Sequence, residues 1–213
     1  MSVVVEGLSF GYRRAEPIID GLDAVFESGA VTAVTGRSGR GKSTLLYLVG
    51  LLLSPWSGRV SLGDVEDASA LDDGARSRLR AERVGFVFQD AALDPSRSVL
   101  DNVAEGGIYG RLSRREAEER GRVLLDRFDV GLQVEQRPGE VSGGQAQRVA
   151  LCRALVNDPD VVLADEPTGN LDVDSARVVI DALVASAHEG GATVIIASHD
   201  PVVVASCDGV LEL

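Results

Sequence analysis

The chain has 213 residues, of which 45% are hydrophobic and 25% are charged, as in a globular protein with a substantial core. Its formal net charge is −12, so its average surface repels a phosphate backbone, and we expect no nucleic-acid partner. Residues 1–6 lack the basic start and apolar stretch of a signal peptide. The longest apolar run, 45–53, is far shorter than the roughly 20 residues that span a bilayer. We therefore expect a cytoplasmic protein that meets a membrane only through a partner.

Short apolar runs rich in β-branched residues alternate with helical patterns along the chain, which predicts an α/β fold. A helix is predicted over Ser43–Leu53. The runs 161–164 and 193–197 are apolar at every position, as central strands of a parallel sheet are. The predicted strands, in chain order, are Ser2–Glu6, Leu22–Glu27, Val31–Thr35, Arg59–Leu62, Val84–Phe88, Val161–Ala164, Thr193–Ala197 and Gly209–Leu213.

The middle of the chain, residues 91–158, has no strand pattern. Ser113 and Glu116 form a capping box that opens a helix, and a second helix is predicted over Gly144–Asn157. We predict a single domain over 1–213, in which an α/β core of 1–90 and 159–213 carries a helical subdomain of 91–158.

Residues 36–44 have the spacing G-x-x-x-x-G-K-S of a phosphate-binding loop, between a predicted strand and a predicted helix. Backbone N–H groups and the helix N-terminus attract phosphate there. Lys42, the only lysine of the chain, is expected to reach the β- and γ-phosphates, because a compact ammonium fits where a planar guanidinium does not. Ser43 is expected to bind Mg²⁺, and Thr44 to cap the helix and donate to the α-phosphate. The predicted nucleotide-binding residues of this loop are Gly36, Arg37, Ser38, Gly39, Arg40, Gly41, Lys42, Ser43 and Thr44, with the Arg37 and Arg40 side chains pointing outward.

Two further motifs indicate nucleotide chemistry. The strand 161–164 leads into Asp165, a candidate Mg²⁺ ligand, and Glu166, a candidate general base for an attacking water. Ser142, Gly143 and Gly144 precede a predicted helix and form a second candidate anion site. Taken singly, the first motif is also compatible with acidic turn residues and the second with a chance Ser-Gly-Gly turn.

With these motifs in this order, the whole chain resembles the ATP-binding cassette (ABC) ATPases. The resemblance implies a P-loop NTPase core of the ABC type, in which a mixed sheet is joined by an antiparallel β subdomain and an inserted helical subdomain. It implies ATP and Mg²⁺ as cofactors. It also implies that Ser142, Gly143, Gly144 and Gln145 form the signature motif, which faces the ATP held by a second subunit.

The same resemblance implies roles for four other residues. Gln89 contacts Mg²⁺ and water and relays to a membrane partner, and His199 contacts the γ-phosphate. Tyr12 stacks on adenine, and Asp172 belongs to a loop that crosses the dimer interface. Without the resemblance, Gln89 would be interpreted as a polar strand end, His199 as structural and Tyr12 as a half-buried core ring.

Residues 164–172 and 193–201 resemble the macrolide-export, lipoprotein-release and cell-division group of this family. That resemblance implies a peripheral ATPase on the cytoplasmic face of the membrane, whose ATP-dependent head-to-tail dimerisation drives a permease with few transmembrane helices. The second ATPase subunit is the same chain or a different one. Residues 90–98 depart from the Leu-Leu-Pro type of sequence that relatives carry there, which leaves the partner's identity open.

Other classes of protein fit less well. A soluble ABC ATPase that acts as an assembly scaffold stays open as an alternative. A DNA-repair ATPase would have a long coiled-coil insertion before Ser142, which the sequence lacks. A nucleoside-monophosphate kinase or a GTPase would have no use for residues 142–145.

Overall fold

The computed structural model describes residues 1–13 and 16–213. An antiparallel sheet contains β1 (Val3–Phe10), β2 (Ile19–Phe26) and β4 (Ser57–Leu62), in the order β2-β1-β4. A second sheet contains β3 (Val31–Thr35), β5 (Val84–Val87), β6 (Val161–Asp165), β7 (Thr193–Ala197) and β8 (Gly209–Glu212), in the order β5-β6-β7-β3-β8. Each neighbouring pair in this second sheet is parallel. The predicted α/β class is confirmed. The antiparallel strands form one sheet, and the parallel strands form the other.

Seven α-helices occur in the described residues: α1 (Lys42–Val49), α2 (Asp73–Arg83), α3 (Val99–Tyr109), α4 (Arg114–Arg127), α5 (Gly143–Leu155), α6 (Val173–His188) and α7 (Pro201–Ala205). The capping box predicted for α4 is present, because Ser113 accepts a hydrogen bond from the backbone of Glu116, and the Glu116 carboxylate accepts one from the backbone of Ser113. Residues 91–158 contain α3, α4 and α5 and no described strand. The division into a core and a helical subdomain stays a prediction. No helix in the described part of the chain is both long enough and apolar enough to cross a bilayer.

Two predictions about α1 are wrong. The helix ends at Val49 rather than Leu53, because Gly50 caps it and Leu51 adopts a left-handed conformation with φ of 57°. The amides of Leu52 and Leu53 then turn back to the Tyr47 carbonyl. At the other end, Thr44 is not the cap. The N-cap residue is Gly41, with φ of 97° and no side-chain hydrogen bond, so Thr44 lies inside the first turn.

The central sheet is buried on both faces. Val162, Ala164 and the matching residues of β7 face a cluster built with α3, α5 and α6. Val161 and Leu163 face the opposite cluster, which contains α1 and the antiparallel sheet. Because successive residues of a strand point to opposite faces, the continuous apolar pattern of β6 and β7 follows from burial on both sides.

The register of the central strands brings their carboxyl ends to one edge. Ala197 of β7 pairs with Val34 of β3 on one side and with Asp165 of β6 on the other. On the far side of β6, Val87 of β5 pairs with Ala164. The segments that follow β3, β5, β6 and β7 therefore leave the sheet at the same edge, where open α/β sheets bind ligands.

Candidate nucleotide-binding site

A cavity of about 820 Å³ opens at this edge of the sheet. It contains most of the residues predicted from the phosphate loop, together with residues from four other segments of the chain. Its lining is formed by Tyr12, Ile18, Gly36, Arg37, Ser38, Gly39, Gly41, Lys42, Ser43, Thr44, Gln89, Glu166, Gly169 and His199. The loop is thus brought next to residues up to 163 positions away in the chain.

The loop between β3 and α1 depends on glycine. Gly36, Gly39 and Gly41 have φ values of 136°, 81° and 97°, in the region that other residues rarely adopt. A Cβ on Gly41 would also lie 2.7 Å from Cγ2 of Ile18, so the close approach of β2 requires glycine there. Arg37 and Arg40 are exposed, as expected for a loop that offers its backbone to the ligand.

Lys42 closes this loop. Its ammonium donates to the Gly36 carbonyl over 3.0 Å, so the charge is held over the concave side of the loop. A phosphate oxygen that entered the cavity would compete with that carbonyl for the ammonium, and a hydrogen bond between two charged groups is the stronger of the two.

Asp165 and Ser43 meet beneath the loop. The Ser43 hydroxyl donates to Oδ1 of Asp165 over 2.9 Å, and the Tyr47 hydroxyl lies 3.5 Å from Oδ2. Asp165 is 3% exposed. Burial raises the pKa of its carboxyl group; the hydrogen bond from Ser43 opposes this rise, and the nearby Glu166 charge adds to it. Burial, followed by the charge of Asp165, also raises the pKa of Tyr47. The pair offers oxygen ligands, which suit a hard cation.

Glu166 is held in an uncommon backbone conformation, with φ of 43°. Its amide donates to the Ala197 carbonyl over 2.8 Å. Its carboxylate accepts from the Ser198 hydroxyl over 3.3 Å and contacts Nδ1 of His199 at 2.8 Å. Ser198 and His199, the two residues that follow β7, therefore both hold the carboxylate of Glu166 at the lining of the cavity.

Tyr12 forms the outer wall of the cavity and is 61% exposed. Its hydroxyl lies 3.4 Å from that of Thr44, and its ring packs edge-on against Phe10 at a centroid distance of 5.2 Å. Phe10 in turn contacts Trp56, the only tryptophan of the chain. An exposed aromatic face beside a phosphate loop can stack on a nucleobase.

Gln89 lies between two cavities. It lines the cavity just described and a smaller one, of about 220 Å³, that also contains Gly143. The backbone beside it is tied to α5, because the Gln147 amide donates to the Phe88 carbonyl over 3.1 Å. The Arg153 guanidinium donates over 2.7 Å to each of the carbonyls of Ala91 and Ala92, which have φ of 57° and 48°. Gln89 thus lies where the central sheet is joined to α5.

Residues 142–145 form the start of α5, outside the lining of the nucleotide cavity in the part of the chain that is described. Ser142 accepts from the amide of Gln145 over 3.2 Å, and the Gln145 side chain accepts from the amide of Ser142 over 2.8 Å. Ser142 and Gly143 are exposed. These residues therefore lie at the surface of the protomer and do not line the cavity around its own phosphate loop.

Asp172 caps α6 beside this motif. Its carboxylate accepts from the Ser175 amide over 2.9 Å and from the Ser175 hydroxyl over 2.8 Å. These two hydrogen bonds lower the pKa of Asp172. Arg148 of α5 donates to the same hydroxyl over 3.3 Å, and a Cβ on Gly144 would lie 2.9 Å from it. Ser175 thereby joins residues 142–145 to the loop that contains Asp172.

Four residues of this site were not predicted from the sequence: Ile18, Tyr47, Gly169 and Ser198. Tyr47 could have been found, because it follows Ser43 by one helical turn and so lies on the same face of α1. Ser198 directly precedes His199, and Gly169 follows Glu166 within the same loop. Ile18 has no local signal, because only the pairing of β1 and β2 brings it to the phosphate loop.

A glycine-rich loop between a strand and a helix, at the carboxyl edge of a parallel sheet, defines the class of P-loop nucleoside triphosphatases. The family model described as ABC transporter matches residues 19–169. The lipoprotein-releasing system ATP-binding protein LolD of Cereibacter sphaeroides is 41% identical, over 99% of this chain and 96% of that protein. The macrolide export ATP-binding/permease protein MacB 1 of Yersinia pestis bv. Antiqua is also 41% identical, over 98% of this chain but only 32% of that protein.

The fold is similar to that of a solved member of the same family. The ATP-binding cassette MJ0796, in a dimeric post-hydrolysis state bound to ADP and Pi, has a TM-score of 0.92 and 31% identity, and the match covers 99% of this chain and 94% of that chain. The chain belongs to the ABC transporter family, and it is an ATPase that binds and hydrolyses ATP.

We predict that Asp165→Asn stabilises the nucleotide-free protein at pH 7. The folded-state pKa of Asp165 is raised, so its ionised form is disfavoured by folding and the free energy of unfolding falls as the pH rises through its titration. Asn keeps an acceptor for Ser43 without the buried charge. Thermal unfolding should show a Tm about 2–4 °C higher for each kcal/mol gained. Asp181→Asn, the same change at an exposed carboxylate of α6, is the matched control. A Tm below that of this control would show that the ionised carboxylate stabilises the fold.

Proposed function

We propose that this ATPase works as a dimer, in which each ATP lies between the phosphate loop of one protomer and residues 142–145 of the other. The observation that carries this proposal is the separation of the two anion-binding elements within one chain. The cavity around Lys42 is open, and the N-terminus of α5 lies outside its lining with Ser142 and Gly143 exposed. In a head-to-tail dimer, the phosphate loop of each protomer would meet residues 142–145 of the other, which gives two sites. Val173, which is 84% exposed beside Asp172, would be covered in such a dimer.

The residues around the cavity suit a hydrolytic mechanism. Glu166 would act as the general base for the attacking water, with its carboxylate held by Ser198 and His199. His199, whose side chain is 78% exposed, would contact the γ-phosphate. Lys42 and the loop amides would bind the phosphates, and Tyr12 would stack on the base.

Mg²⁺ fits the oxygen ligands of Ser43 and Asp165, and when bound it would neutralise phosphate charge. Gln89 would complete the protein side of this metal site from the end of β5. A hydroxyl, a carboxylate and an amide oxygen are all hard ligands, so the donor set matches this cation rather than a softer one.

We further propose that the dimer drives a permease with few transmembrane helices, to which it binds at the cytoplasmic face of the membrane. LolD is named as the ATP-binding protein of a lipoprotein-releasing system, and the name of MacB 1 joins an ATP-binding part to a permease part. Gln89 connects the nucleotide cavity to α5 through the Phe88 carbonyl, so a change at the phosphates can reach the surface beside residues 90–98.

We predict that Mg-ATP protects Lys42 from an amine-directed label. The chain has one lysine, so the label can modify only Lys42 and the N-terminal amine. The N-terminal amine, which donates to Ser28, is an internal control whose labelling should not change. Peptide mass spectrometry measures both sites. Equal labelling of Lys42 with and without Mg-ATP would contradict the assignment of the phosphate loop.

The variants Lys42→Ala and Lys42→Arg extend this test. Both should bind ATP about 10- to 100-fold more weakly in calorimetry, the loss expected for one charge-assisted hydrogen bond. Lys42→Arg keeps the positive charge, so weaker ATP binding by this variant would show that the loop has no room for a guanidinium group.

We predict that Glu166→Gln forms a stable dimer with Mg-ATP, because the nucleotide contacts survive while the water loses its base. Light scattering after size-exclusion chromatography should give twice the protomer mass of 22.4 kDa with Mg-ATP and the protomer mass without it. Adding Gly143→Asp should abolish the dimer, because a Cβ there has open space but the carboxylate would face a phosphate. Gly143→Ala is the matched control. A Glu166→Gln chain that stays monomeric at high concentration would refute the composite site.

We predict that the chain co-purifies with an integral membrane protein in stoichiometric amount. The experiment expresses the affinity-tagged chain in the organism from which it comes and purifies it from detergent-solubilised membranes. Recombining the purified pair should raise the ATPase rate above that of the chain alone. Tagged Lys42→Ala is the control for the ATP dependence of this stimulation. A chain recovered only from the soluble fraction, with its ATPase active on its own, would instead favour the scaffold alternative.

A further inference from the structure

Three aromatic side chains, Trp56, Phe10 and Tyr12, form a continuous series of ring contacts that ends at the nucleotide cavity, and we refer to them as the aromatic row. Phe10 is its middle member. The centroid of the Phe10 ring is 5.2 Å from that of Tyr12, with the two planes at 88°, and 6.1 Å from that of Trp56, with the planes at 38°. Phe10 is 8% exposed, whereas Trp56 is 46% exposed. Trp56 therefore packs on the row while much of its own side chain stays outside the core.

Backbone hydrogen bonds fix the inner part of this row. The amide of Trp56 donates to the Ser9 carbonyl over 2.8 Å, and the amide of Ile18 donates to the Phe10 carbonyl over 2.8 Å. Phe10 also pairs with Ile19 of β2. The positions of Phe10 and Trp56 are therefore set by the segments on both sides of β1, before any ligand binds.

The Trp56 indole also contacts the backbone that leads directly into Tyr12. Gly11 is buried. A Cβ on Gly11 would collide with the Glu16 carbonyl and would lie 2.7 Å from Cη2 of Trp56. The indole thus occupies the space beside Gly11, and it limits the path of the chain one residue before Tyr12.

Tyr12 depends on such support, because most of its side chain is in solvent. It is 61% exposed, and its hydroxyl lies 3.4 Å from that of Thr44, which is long for a hydrogen bond between two hydroxyls. A ring that is already ordered binds a base more tightly, since ordering a mobile side chain on binding costs affinity. Edge-on packing against Phe10 supplies this order.

We propose that Trp56 is a positioning residue for nucleotide binding, which holds the Tyr12 ring, through Phe10 and Gly11, in the orientation that stacks on the base. This inference rests on the proposed function, since it takes the stacking of Tyr12 from there. Trp56 is not part of the described lining of the cavity, so it would act on the base through Tyr12. Its effect should be confined to ligands that contain a base, and a ligand made of phosphate alone should bind equally well without it.

The test compares Mg-ADP with Mg-pyrophosphate, which has the same two phosphates and no base. Trp56→Ala should weaken binding of Mg-ADP about 3- to 10-fold in calorimetry, the effect of one lost aromatic contact, and should leave binding of Mg-pyrophosphate unchanged. Trp56→Phe keeps a ring beside Phe10 and should bind both ligands nearly as wild type does. Leu52→Ala is the matched control, because Leu52 is 45% exposed in the same connection between α1 and β4 but does not belong to the aromatic row. This control should change neither affinity.

A double-mutant cycle shows whether Trp56 acts through Tyr12. Tyr12→Ala should weaken binding of Mg-ADP at least as much as Trp56→Ala, and Trp56→Ala should cause no further loss in the Tyr12→Ala chain. Unchanged Mg-ADP binding by Trp56→Ala, equal weakening of Mg-pyrophosphate, or losses that multiply in the double variant would each overturn this inference and leave the proposed function intact. If Tyr12→Ala binds Mg-ADP as wild type does, the stacking in the proposed function fails, and Trp56 has no ring to position.

Fluorescence of the unaltered chain adds a measurement that does not depend on the folding of any variant. Trp56 is the only tryptophan, so tryptophan emission reports on the aromatic row alone. Stacking of a base on Tyr12 should shift this emission when Mg-ADP binds, whereas saturating Mg-pyrophosphate should not. Equal responses to the two ligands, whether large or absent, would overturn the inference.

Discussion

The register of three parallel strands is the constraint on which the site depends. Ala197 of β7 is hydrogen-bonded between β3 and β6, opposite Val34 and Asp165. That pairing sets the height at which the phosphate loop, the Asp165–Glu166 pair and the Ser198–His199 pair leave the sheet. A slip of one residue would turn every apolar side chain of the slipped strand to the other face, and both faces of this sheet are packed. The packing of the hydrophobic core therefore fixes the strand register, and the strand register places the polar site residues within hydrogen-bonding distance of one another.

Three of the seven described non-glycine residues with positive φ lie at or beside this edge of the sheet. Glu166, Ala91 and Ala92 all have positive φ, which costs of the order of 1 kcal/mol or more for each residue other than glycine. Each is held by hydrogen bonds from elsewhere in the chain. The Ala197 carbonyl accepts from the amide of Glu166, and the Arg153 guanidinium donates to both alanine carbonyls. Glu166 and the loop after Gln89 are thus held by distant residues, so movement of α5 relative to the sheet would change the position of this loop.

Charge is distributed unevenly over the surface of the protein. The chain is strongly acidic, yet the phosphate loop and the start of α5 both present cationic or N–H donor groups. In the proposed dimer, these two places would meet the same ATP from opposite protomers. Excess negative charge elsewhere discourages anions from binding outside these places. The same negative charge makes two protomers repel each other, so their contact depends on the ligand that lies between them.

Much of the site was predictable because its chemistry is encoded in short, local spacings. The glycines, Lys42 and Ser43 lie within one loop, and Asp165 and Glu166 directly end an apolar strand, so each motif is complete without knowledge of the fold. The same locality allowed the strands and the capping box at Ser113 to be predicted. Polar helices such as α2, which buries no residue fully, gave no apolar stripe to detect.

The sequence by itself determined the class of reaction and the residue types that carry it, because phosphate binding needs particular atoms at fixed local spacing. Only the tertiary structure decided which of these residues meet. It placed Ile18 against Gly41 through the pairing of β1 and β2, and it excluded Thr44 as the helix cap. It also placed residues 142–145 outside the lining of the cavity around their own phosphate loop. These contacts join residues that are far apart in the chain. Their geometry is set by the sheet register and by helix packing, which no single segment of the sequence specifies.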